Sequence, residues 1–193
     1  MNINNAMLKK WLSQERTEVI SAIAQSISNH VSELNSQGID FYGYALLPGE
    51  PYEINSIVAA FNCESDIEVS SEHEAYRYYK YGVDEWLHWE YDEFDTVNKL
   101  LEEINAEFSS MHTSDEDNYT MDEYEILHSD ALLEAIVRGL ETASHNGAFG
   151  TKNPFLVVWI SDSDHKITNE SVRRLNSEIV TRDFMVEFGQ IYR

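Results

Sequence analysis

The chain has 193 residues, 42% of them hydrophobic, and carries 35 acidic against 13 basic side chains, a formal net charge of -22. That length and apolar content exclude a disordered polymer and fit one globular domain, residues 1–193, with its own core. The charge disfavours contact with nucleic acid or an anionic membrane, and no stretch reaches the ~18 consecutive apolar residues of a membrane helix.

The N-terminal residues lack the basic region and apolar centre of a secretory signal, and the single cysteine, Cys63, excludes an intrachain disulfide framework. A soluble cytoplasmic protein is expected. In chain order, Leu8, Trp11, Leu12, Val19, Ile20, Ile23, Ile27, Val31 and Leu34 keep a three-and-four spacing that predicts one helix from about Asn5 to Asn35, ended by Gly38. His30 beside that stripe reads as a structural or surface histidine and not a ligand. Phe41–Leu47 and Ile57–Phe61 read as an antiparallel pair of strands, and Tyr76–Tyr81 as a third strand. Cys63 has no histidine close in sequence and reads as a small, buried or half-buried residue and not a nucleophile. Residues 83–92 read as a structured loop or short helix, followed by a helix over Glu93–Met111.

Thr113–Tyr119 is an acidic loop, and Thr120 with Glu123 has the reciprocal pattern of a helix cap. A helix or helix pair then runs to about Ser144, with Gly139 marking close packing or a break. Phe155–Ile160 is six apolar residues without a polar break, which predicts a strand buried on both faces in the middle of the sheet. Thr168 is the expected cap of a further turn, and Ile179–Phe188 the last helix. The fold expected is α+β: a central, mainly antiparallel sheet with N-terminal, middle and C-terminal helices packed on it.

The charge is not evenly spread. Residues 64–134 hold 22 acids and only three bases, Arg77, Lys80 and Lys99, whereas residues 135–193 hold seven of each. A field concentrated in this way attracts basic partners and speeds their encounter. Within it, Tyr76–Asp95 interleaves aromatics with acids, the composition of a protein–protein hot spot. The partner-binding residues expected are Asp84, Glu85, Trp86, Trp89, Glu90, Tyr91 and Asp92, with Asp115, Glu116, Asp117, Asp122 and Glu123 from the acidic loop and the helix start after it. Ser161-Asp162-Ser163-Asp164-His165, after the apolar strand, reads as a turn; an enzyme or metal site there is the alternative. There is no HExxH, GxSxG or phosphate-binding glycine loop, so no catalytic residue, metal or cofactor is expected.

The segments Phe41–Leu46, Asp84-Glu85-Trp86, Phe94–Asn98, Gly147–Gly150, Val157–Asp164 and Ser171–Asn176 together resemble the bacterial domain-of-unknown-function family numbered 4303. The resemblance runs from the first helix to Phe188, and Ser177 stands where the family pattern has proline. It supplies no catalytic residues. It implies a small, single-domain bacterial protein, and similar acidic domains often serve as immunity proteins to polymorphic toxins. The function expected is therefore a cytoplasmic immunity protein that occludes a basic toxin domain, a nuclease. The alternatives are a small-molecule or metal-dependent enzyme at Asp162–His165, or an acidic mimic of nucleic acid.

Overall fold

The computed structural model describes residues 3–113 and 120–189. Four strands make one sheet: β1 (Phe41–Leu47), β2 (Val58–Cys63), β3 (His88–Glu90) and β4 (Phe155–Val158), in the spatial order β3-β2-β1-β4. β1–β2 and β2–β3 are antiparallel, and β4 joins β1 in parallel. The sheet is thus mixed but mainly antiparallel, as the α+β reading requires.

Side chains alternate across the pleat, so each strand feeds two cores. Tyr44, Leu46, Ala59, Phe61, Leu156 and Val158 face one of them, shared with α2 (Thr17–Ser36), α4 (Asp95–Met111) and α5 (Glu123–His145). Ala45, Leu47, Ala60, Phe155 and Val157 face the other, shared with α3 (Tyr76–Tyr81) and α7 (Glu178–Phe188). α2 and α5 lie closely together because Gly139 leaves room: a Cβ there would stand 2.5 Å from Ile23 Cγ2.

β4 is buried on both faces, yet it is an edge strand and not the centre of the sheet. Its outer edge is closed by α6 (Ile167–Leu175) and the residue after it. Ser171 Oγ accepts from Val158 N at 3.0 Å, and Asn176 bonds both the N–H and the carbonyl of Leu156 (2.9 and 2.7 Å). The unbroken apolar run reports two-sided burial, which a helix on the edge supplies as well as a neighbouring strand does.

Several other elements differ from the sequence expectation, among them β3, a strand where a structured loop or short helix is expected. The first helix is two, α1 (Ile3–Leu12) and α2, parted at residues 13–16. No apolar residue of the stripe falls between Leu12 and Val19. The break lets Leu8, Trp11 and Leu12 meet Phe108 in a separate small core. Tyr76–Tyr81 is helical, because Arg77 and Tyr81, one turn apart, both reach Asp183 of α7 (2.6 and 2.9 Å). That docking outweighs the strand preference of tyrosine. The cap of α5 is Asp122 and not Thr120: its carboxylate accepts from Tyr124 N and Glu125 N, and Glu125 returns the bond to Asp122 N. Likewise Thr168 lies buried inside α6, which begins after Lys166. Ser177 caps α7 by accepting from Val180 N.

Candidate functional site

Beyond the end of β4 the chain turns through Ser161-Asp162-Ser163-Asp164, with Asp162 at φ 52°. The turn faces the segment that links α3 to β3, and the two enclose a recess of about 480 Å³. Its walls are Tyr78, Gly82, Trp159 and Phe188, and its rim carries Asp84, Glu85, Asp162 and Asp164. Two stretches that are rivals in the sequence therefore make one site. They are tied together directly, since Ser161 Oγ donates to Asp84 Oδ1 at 2.5 Å. Glu85 is steadied from the other side by Tyr78 OH at 2.8 Å, and that bond above all raises the Tyr78 phenol above its ordinary range.

Four carboxylates around aromatic walls favour a cation. A guanidinium suits such a place best, because its plane stacks on a ring while its N–H groups reach carboxylates. His165 does not join them. Its Nδ1 accepts from Ile167 N and its ring lies edge-on to Tyr52, 6.4 Å away. Asp162, Asp164 and His165 do not converge as a metal-ligating group among the described residues.

The remaining expected residues divide. Trp86 is core: it is 3% exposed, its Nε1 donates to Lys80 O, and its ring lies over Gly43, where a Cβ would come within 2.6 Å of it. It is corrected from partner anchor to structural residue. Trp89 is half-buried, with Nε1 donating to Trp86 O. Glu90 ends β3, and the exposed Tyr91 and Asp92 follow it. β3 and β4 are the two edges of the sheet, some ~14 Å apart at the usual strand spacing, and none of these three residues lines the recess. Asp122 caps α5 and pairs with His112 Nε2 at 2.8 Å, so it has a structural task; Glu123 beside it is exposed. Asp115, Glu116 and Asp117 lie outside the described residues.

Sequence reasoning missed Tyr78, Trp159 and Phe188 as walls, which only the docking of α3 and α7 brings together. It also missed the surroundings of Cys63. The half-buried thiol lies beside Asp66 and His88, which pairing of β2 with β3 delivers from 25 positions along the chain. Burial and then the Asp66 charge push the thiol up. Burial also works against the Asp66 carboxylate, but bonds from Cys63 N and His88 overcome it and hold that carboxyl below its usual value.

The model of the family described as Domain of unknown function (DUF4303) matches residues 21–177. The chain belongs to that family. No curated protein and no solved structure matches it. The DUF4303 match takes in the sheet and both sides of the recess rim, and stops short of α7, which contributes Phe188 to the wall. No helix among the described residues is long and apolar enough to cross a membrane.

Proposed function

We propose that this DUF4303 protein is a cytoplasmic bacterial immunity protein that binds a basic toxin domain, a nuclease, and neutralises it by occlusion. One observation carries the reading. The acids concentrated in the middle of the chain reach, through Asp84 and Glu85, the mouth of an aromatic-walled recess, where Asp162 and Asp164 add two more. A nuclease works on a polyanion, so its cleft is already positive. An acidic protein that buries one of its arginines or lysines in this recess would cover that cleft without any chemistry of its own. Bacterial competition supplies the setting, in which a toxin producer protects itself.

The test is survival. The chain is co-expressed with a candidate nuclease toxin domain, and growth is compared for the native protein and for the double variant Asp84→Lys/Glu85→Lys. The expected result is protection by the native chain and its loss in the variant, with an unchanged far-UV spectrum. Full protection by the variant would remove the recess from the account, and no protection by the native chain would remove immunity.

A further inference from the structure

We propose that Cys63, Asp66 and His88 form a binding site for a zinc-class divalent ion, which clamps the short edge strand β3 to the end of β2. One donor atom from each, a cysteine sulfur that would give up its proton on binding, a carboxylate oxygen and an imidazole nitrogen, lies within 4.8 Å of the other two. A tetrahedral zinc with bonds of about 2.0–2.3 Å separates its ligands by roughly 3.3–3.8 Å, so the group closes on an ion with a shift of about 1 Å.

The backbone dictates this convergence. His88 is paired with Phe61 across β2–β3, and Cys63 lies two residues beyond Phe61, on the same face. The His88 ring stacks flat on Phe61, with centroids 4.6 Å apart and planes 2° from parallel, which aims Nε2 at Asp66 Oδ2, 3.1 Å away. Cys63 and Asp66 are three positions apart, the cap and the last residue of one 3-10 turn over Glu64–Asp66, the separation at which paired ligands hold zinc. Each fixes the other: Cys63 N donates to Asp66 Oδ2 at 3.0 Å, and the sulfur accepts from the Asp66 N–H.

The donor set chooses the ion. A thiolate with an imidazole favours zinc or cobalt over magnesium or calcium, which want oxygen alone. The Asp66 side chain is 18% exposed and that of His88 40%, so the fourth position faces solvent and takes a water. The site is separate from the recess, and no member of it lines the recess wall.

The full-length protein, stripped with a chelator, is titrated with Co2+ and then with Zn2+. The expected result is one Co2+ per chain with a sulfur-to-cobalt absorption band in the near ultraviolet, displaced by Zn2+ and untouched by excess Mg2+ or Ca2+. Cys63→Ser should abolish the band, and His88→Gln should weaken binding at least tenfold. Zn2+ should also raise the unfolding midpoint of the native chain and shield Cys63 from alkylation, a check that needs no variant. A cobalt spectrum without the sulfur band, competition by Mg2+, or affinity unchanged in His88→Gln would overturn the site and leave only ions gathered by the acidic surface.

Discussion

Trp86 shows why a tryptophan among acids need not be a docking anchor. Its ring meets Tyr42 and Phe155 edge-on and fills the space over Gly43. Trp86→Ala should therefore cost about 3–5 kcal/mol in urea unfolding, the range for a buried ring, whatever it does to partner binding. His128 carries a second prediction. It packs against both Phe108 and Trp11, with ring centroids 4.2 and 5.6 Å away. Asn105 uses its amide to bond Ile54 O and Asn55, so its Oδ1 faces His128 Nε2, which must donate. Protonation would then fall on Nδ1, a buried atom with no partner among the described residues. Burial, helped by the Arg16 charge, pushes His128 down to about 4 from its ordinary 6.5. The unfolded chain thus takes up the proton first, and stability present above pH 6.5 is lost as the pH falls toward 4. The loss is about 2 kcal/mol after allowance for partial solvent access. His128→Gln should flatten the difference between unfolding curves at pH 7 and pH 5.

Elements were legible in the sequence where one face decides, and illegible where docking decides. β1, β2 and α5 follow from their apolar spacing, because burial on a defined side is what the spacing encodes. The helix at Tyr76–Tyr81 does not, since its alternating rings suit a strand and only Asp183, a hundred residues on, turns them into a helix face. The recess was half legible for the same reason. Asp84 and Asp162 stand out singly, but nothing local joins them. Gly139 tests the packing of the α2–α5 pair. Alanine there gains about 1 kcal/mol of helix propensity but drives a methyl into Ile23, and overpacking costs about 1–3 kcal/mol. Gly139→Ala should thus destabilise, and adding Ile23→Ala should recover part of the loss in a double-mutant cycle. Asp122→Ala should cost about 1 kcal/mol through the lost cap of α5. Any effect of that variant on partner binding has to be read after that correction.

For the molecule as a whole, a net charge of -22 sets two salt effects of opposite sign. Repulsion among the acids opposes the compact state, so raising salt from near zero to 0.15 M should stabilise the free protein. A gain of about 1 kcal/mol would lift the thermal midpoint by about 2–4 °C. Association with a basic partner should do the reverse and slow as salt rises, mainly in its on-rate. Stopped-flow mixing of the chain with the basic domain proposed as its partner checks this, and an on-rate indifferent to salt would leave solubility as the only role of the charge. The two-sided burial of β4 and the helical cover were both readable from the apolar pattern. The edge position of β4 was not, because burial on two faces says nothing about which neighbour stands beside the strand.

That edge position has a consequence for the order of synthesis. β1 leaves the ribosome early, and β2 can pair with one side of it almost at once. Its other side waits for β4, more than a hundred residues later. At about 5–20 residues per second, that side stays open for about 5–20 s in every nascent chain. Closure is then followed within some twenty residues by Ser171 and Asn176, which seal the new edge. A stalled or truncated chain ending near residue 150 would expose an apolar β1 edge with nothing to cover it, and such fragments should aggregate or recruit chaperones, whereas chains that extend through α7 and so cover the second core as well should not.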